Sequence, residues 1–372
     1  MKNRPAQVLL IAIFFLLVGT TVSAQVSTKT STPALSSASN QGISNLLTSL
    51  PEADMLVYIN PRRVLNEAAP RVMTAPDVAK MRILFEDLKM GVGVDPANID
   101  YIVIALRFHK PAGDLSFVPP EVLAVVSGDF SSDSLLTLAR LSLQDKVRDE
   151  KYGARTLAIM KIDPVASAAE KNPLLKSFAE IGFAPLNSNS IALGNIGYLK
   201  AAMNAADGTS RISTTTISSL LRDPNALVSA AGSPLSAFAR SFGLLGTQTT
   251  PRDSRCDTTF GNFYTAITFD GNNFSVRGAL NADNADSAKI INGLMWGLLQ
   301  QAVTSVPDKS AQSVLNNLKL AANENEVVLS ADIPHQLVAD FIREQTKPAT
   351  KVTIQSPPKP PVRKKRPVRR KA

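Results

Sequence analysis

Cysteine is almost missing from this 372-residue chain. Cys256 stands alone, so no internal disulfide can form and stability must come from packing. No residue pattern around it supplies a partner for thiol chemistry, which leaves a buried or loop thiol. Histidine is nearly as scarce. His109 and His335 lack the i, i+4 spacing of a helical metal pair and are expected to serve surface or packing roles. Aromatic residues make up only 6%, with Trp296 the single tryptophan, which argues against a stacking-rich nucleic-acid or carbohydrate surface. There is no G-x-S-x-G elbow, no S-x-x-K pair and no Walker loop. Gly91-Val92-Gly93 lacks the third glycine of a dinucleotide loop and marks a helix stop. Asn281, Asp283 and Asp286 miss the calcium-loop spacing and suit helix capping better. No cofactor, metal or catalytic residue is therefore expected.

What is present begins with export. Lys2 and Arg4 precede an apolar run, Val8 to Val18, and Val22-Ser23-Ala24 places small residues before Gln25. Residues 1–24 read as a cleaved signal peptide, since the run is shorter than the roughly 20 residues that span a bilayer. No second run resembles a membrane span. A periplasmic or extracellular protein with no integral span after cleavage is the expectation. Residues 25–42 are rich in Ser and Thr and form a flexible spacer.

The net charge of +9 belongs to the far end. Ten Lys or Arg and no acid lie beyond position 346; together with Lys2 and Arg4 they exceed the surplus and leave the remaining body at −3. In this tail, residues 347–372, prolines prevent core formation. Arg363, Lys364, Lys365, Arg366, Arg369, Arg370 and Lys371 make a dense polyanion-binding segment suited to lipid headgroups or an anionic envelope polymer. A merely solubilising tail is the plainer alternative.

The body contains an internal echo. Phe263 to Val303 reads as strand, Asp270-Gly271-Asn272-Asn273 turn, strand, then a long helix capped by Asp283 or Asp286. Tyr101 to Leu143 repeats that order, with Gly128 and Asp133 matching Gly278 and Asp283 at an offset of 150. Residues 50–57 parallel 221–228 at an offset of 171, with Ala237 to Phe242 reading as a helix beyond the second copy. SIALGNIGYLKAAM parallels EVVLSADIPHQLVADF. The body is thus two α+β repeats, residues 43–208 and 209–346, each of antiparallel strands with helices on one face. They join either edge to edge or through their helices.

In the long helix, Ile291, Leu294, Met295, Leu298, Leu299 and Ala302 form an apolar stripe. Gly293 and Gly297 flank Trp296 on another face. Glycines weaken a helix interior, so close approach there is implied, either by the sister repeat's helix or by a partner or ligand.

The segments LPEADMLVYINPRRVLNEAAPRV, GVDPANIDYIVIALRF and RDPNALVSAAG resemble a family of exported bacterial proteins without an assigned reaction, over roughly residues 46–342. The resemblance implies an exported, duplicated α+β body and transfers no functional residue. The reading is a non-catalytic envelope binding or structural module held near an anionic component by its tail. Two alternatives stay open: a hydrolase whose site assembles between the repeats, and polyanion or nucleic-acid binding through the tail.

Overall fold

The computed structural model describes residues 43–44, 46–92, 95–109, 120–143, 146–161, 180–233, 261–306 and 309–346. The signal peptide, the spacer, the 237–242 helix, Cys256 and the basic tail lie outside them. Twelve strands form one sheet: β1 Met55–Ile59, β2 Ile99–Arg107, β3 Glu121–Gly128, β4 Val147–Tyr152, β5 Arg155–Lys161, β6 Glu180–Asn187, β7 Ser190–Gly194, β8 Val228–Gly232, β9 Phe263–Phe269, β10 Asn273–Asn281, β11 Lys319–Asn323 and β12 Glu326–Pro334. Helices α1 Pro61–Arg63, α2 Ala69–Val72 and α3 Ala75–Val92 lie between β1 and β2. A π-helical turn, Val64–Ala68, joins α1 to α2. The remaining helices are α4 Ser132–Leu143, α5 Ile196–Ala206, α6 Thr214–Leu220, α7 Ala285–Ser305, α8 Lys309–Asn316 and α9 His335–Thr346.

The strand order is β11-β12-β10-β9-β8-β1-β2-β3-β7-β6-β5-β4, and every pairing is antiparallel. Read outward from the β8–β1 junction, it is mirrored: β9 answers β2, β10 answers β3, β12 answers β7 and β11 answers β6. The two units therefore join edge to edge. The offset of 171 is the one the register obeys. Val57 pairs with Ala230 and Ile59 with Val228; the same offset carries 57 to 228 and 59 to 230, so the pairs exchange and a pseudo-dyad passes through Tyr58 and Ser229. Carried along the ladders, the equivalence matches Ile104 with Ile267, Ala124 with Val276, and Leu193 with Ala331.

The offset of 150 does not survive. Helix α7 begins at Ala285 and α4 at Ser132, an offset of 153, while the ladders match β3 to β10 at 152 and give Gly128's place to Leu280. Asn284, rather than Asp283 or Asp286, caps α7 through its side chain, which accepts from Ser287 N at 2.9 Å. Ser131 holds the corresponding place before α4.

Helices cover both faces of the sheet, where the sequence suggested one. On one face, here the front, Leu56, Tyr58, Val103, Ala105, Leu123, Val125, Ala184 and Ala192 meet Leu47, Leu50, Tyr198, Leu199, Met203, Ile217 and Leu220 in the largest core. On the back, Leu136 of α4 packs on Ala158 and Phe183. Ile291 of α7 packs there on Leu280 and Val327, and Leu315, Leu337 and Val338 of α8 and α9 meet Val276, Leu329 and Ile333.

Candidate functional site

The two halves part ways just beyond their last strand. In the first half β7 ends at Gly194. A Cβ there would lie 2.1 Å from the Val122 carbonyl oxygen, so only glycine lets the chain turn this close to β3. Asn195 fixes the turn: its side chain accepts from Val122 N at 2.7 Å, and its N–H donates to Val122 O at 3.0 Å. Helix α5 then lies on the front and buries Tyr198 and Leu199 completely. Burial pushes the Tyr198 hydroxyl well above its ordinary pKa. That hydroxyl donates to the Glu52 carbonyl at 3.0 Å, and the Arg107 guanidinium sits 4.5 Å from the ring centroid.

The register puts Asp332 in the place of Gly194. With a side chain there, β12 runs on to Pro334, and α9 is delivered to the back, where it meets α2 and α8. Among the described residues no helix packs on the front of β10, β12 and β11. The residues beneath have changed to match. Leu123, Val125, Ala184, Ala192 and Ala105 of the first half correspond to Ser275, Arg277, Lys319, Ser330 and Thr268. A floor that is apolar under α5 is polar and cationic here.

Its geometry is held by a small network. Arg277 donates to Asp332 Oδ1 at 2.8 Å and to the Ala331 carbonyl at 3.0 Å. The Ser275 hydroxyl donates to the same carboxylate oxygen at 2.5 Å. Partial burial acts to raise the Asp332 pKa, but Ser275 and Arg277 outweigh it and hold the carboxyl below its ordinary range. At the inner end, the Arg222 guanidinium stacks 4.2 Å from the Tyr264 ring centroid. Burial raises the Tyr264 hydroxyl, with Arg222 opposing. Lys319 is exposed at the outer end. The surface thus offers Arg222, Arg277 and Lys319 around hydroxyls and a tyrosine, an arrangement able to hold an anionic group by charge-assisted hydrogen bonds.

The residues singled out in the sequence lie elsewhere. Trp296, Gly293 and Gly297 are on α7, on its side away from the sheet. Trp296 is 47% exposed, and among the described residues nothing stands within 4 Å of a Cβ built at either glycine. The sister repeat's helix is therefore not their partner. The apolar stripe is split: Ile291, Met295, Leu299 and Ala302 turn inward, while Leu294 and Leu298 join Ile290 outside, each more than half exposed. Helical spacing of 100° per residue places Leu294 and Leu298 on the flank of that stripe, beyond what β11 and β12 cover. His109 lies 3.2 Å from Glu121 Oε2, and His335 Nδ1 lies 2.8 Å from the Asn272 carbonyl, so the two are not brought together. Among the described residues no group of three or more His, Cys, Asp or Glu could hold a metal ion, and no helix is long and apolar enough to cross a membrane. The sequence signal for the sheet-face site was Arg277 and Asp332, charged residues inside two otherwise largely uncharged strands.

No family model and no curated protein matches the chain. Among solved structures, crystal form I of TP0453 aligns at 10% identity with a TM-score of 0.41, covering 80% of this chain and 96% of that one. Crystal form III aligns at 10% identity with a TM-score of 0.42, covering 85% and 100%.

Proposed function

We propose that the protein is an exported, non-catalytic binding module whose recognition surface is the open front of the second half, with the basic tail as a tether to an anionic envelope component. One observation carries the reading: at matched positions of a duplicated sheet, a core floor has become half-buried Ser275 and Arg277 and exposed Lys319 around a buried Ser330, and the helix that should cover it has gone to the other face. Residues selected only for folding keep such a face apolar and covered, whereas a face that recognises an anionic group needs it polar and accessible. The confinement of the positive charge to the tail supports the tether.

The test compares three forms on isolated envelope fractions across a salt series: the chain from Gln25, the same chain ending at Thr346, and Arg277→Val, which restores the first half's Val125. The truncated form is expected to lose a steeply salt-dependent part of binding. Arg277→Val is expected to lose selectivity among fractions at fixed salt while keeping the tail's contribution. Indistinguishable binding by all three would overturn the reading.

A second reading has its own observation, the outward ridge of α7, where Ile290, Leu294, Trp296 and Leu298 are exposed beside two glycines. It assigns this ridge to a protein partner. Trp296→Ala would then abolish capture of that partner without changing the salt slope.

A further inference from the structure

The outer side of α7 lacks charge. Asp286 and Lys289 pair with each other at 3.0 Å in its first turns, and no Lys, Arg, Asp or Glu follows from Ile290 to Val306. Helix α3, of similar length, carries a charge in every turn as far as Lys89. A helix face left to water is ordinarily polar and charged, yet here Ile290 is 65% exposed and Leu294 51%. Exposed apolar side chains on a charge-free helix mark a contact surface.

The spacing says what kind of contact. Ala288 and Ile291 are buried against the sheet. At about 100° per residue, the opposite side of the helix carries Asp286, Ile290, Gly293, Gly297, Gln300 and Thr304, all exposed. They recur four and three apart in alternation, the spacing of a seam between two helices. At the centre of the seam both glycines are open: among the described residues nothing stands within 4 Å of a Cβ built at either. Leu294 stands on the shoulder beside them. A helix that lies on lipid presents large apolar residues along its inserted line and basic residues on its flanks, and α7 has neither glycine-free centre nor basic flank beyond Lys289. Glycines at the centre suit close approach by another helix.

The seam is also its own complement. When its order is reversed about the point between Gly293 and Leu294, Ile290 falls on Gly297 and Leu294 falls on Gly293. In two antiparallel copies related by a two-fold axis, each of these large side chains meets a glycine of the other helix, in both directions. Asp286 then faces Gln301 and Lys289 faces Leu298, so no like charges meet. We propose that α7 pairs antiparallel with α7 of a second copy, forming a two-fold dimer centred at Gly293 and Leu294. This rests on the reading of the ridge as a site for a protein partner and names that partner. The seam from Asp286 to Thr304 spans about 27 Å, which belongs to the small, transient class of interface, so dimers are expected at micromolar and not nanomolar concentration. The pairing uses the back layer and leaves the polar floor on the front of each copy untouched.

Sedimentation of the chain from Gln25 over a concentration series tests the pairing. The wild type is expected to approach twice the monomer mass. Gly293→Leu with Gly297→Leu fills the groove, where the added side chains meet no clash within the copy, so the melting temperature should not fall. The dimer dissociation constant should rise by about tenfold or more. The register has its own measurement. In a Cys256→Ser background, Leu294→Cys lies beside the axis and should form an intermolecular disulfide on mild oxidation, whereas Thr304→Cys, at the far end of the seam, should not. Monomer at every concentration overturns the proposal, and so does a disulfide at 304 as ready as the one at 294, which would mean parallel helices. A chain that stays monomeric while Trp296→Ala abolishes capture of a different protein would keep the partner reading and sink the self-pairing. A blue shift of the Trp296 emission on vesicles of zwitterionic lipid, with no dimer, would assign the ridge to a lipid surface and sink both.

Discussion

Gly194 and Asp332 occupy one place in two copies of one design, and the difference decides where a helix goes. Gly194→Ala forces a methyl group into the Val122 carbonyl, so the β7–α5 handover must shift. Stability in urea is expected to fall by more than about 2 kcal/mol; a change within about 0.5 kcal/mol would show that the turn adjusts freely. Asp332 has the opposite character. Its carboxyl is depressed by Ser275 and Arg277 against the raising effect of burial. A depressed carboxylate contributes stability above its unfolded pKa and loses it as pH falls through the lower folded value. The stability gap between wild type and Asp332→Asn should therefore be full at about pH 6 and shrink towards about pH 3. A gap constant over that interval would show that the Arg277 pair does not act as a charge pair.

Helix α7 shows what an element gains and loses by lying over a sheet edge. Its inner side is anchored at Ala288 and Ile291, and its outer side is left with four large apolar residues. Gly293 and Gly297 sit in open space there, so alanine meets no clash. Each Gly→Ala change should stabilise the protein by about 0.5–1 kcal/mol in thermal unfolding. If the ridge receives a partner closely, the same changes weaken that association, and gain with no loss would leave the glycines without a binding role. The sequence showed α7 because its periodicity is long and its cap polar. It did not show β4, where Arg148, Asp149, Glu150 and Lys151 hide the strand; an edge strand paired on one side needs little apolar alternation and benefits from charge. Nor did it show β6, which contains Pro185, tolerated because the ladder with β7 is irregular there. Helix α6 was equally hidden behind three threonines, although Ser213 caps it.

For the molecule as a whole, the β8–β1 pairing makes two units inseparable. The largest core joins Ile212, Ile217, Leu220 and Ala231 to Leu56, Leu123 and Leu157. Unfolding should be a single calorimetric transition, with van't Hoff and calorimetric enthalpies in agreement; two resolved transitions would mean that each half holds its own core. The duplication was legible from segments 50–57 and 221–228 because turn and strand chemistry recur in the same order. The sheet-face site was not, because it rests on which face a residue joins, and that depends on ladder register rather than on chain order.

The junction has one more consequence, a matter of orientation. Neighbouring strands in a sheet are rotated by about 20–25°, and eleven such steps separate β11 from β4. Twist alone then turns the two ends of the molecule through more than about half a revolution. The polar floor near β11 and the covered floor near β5, although they belong to one face of one sheet, look out in different directions. A flat partner can engage only one of them at a time.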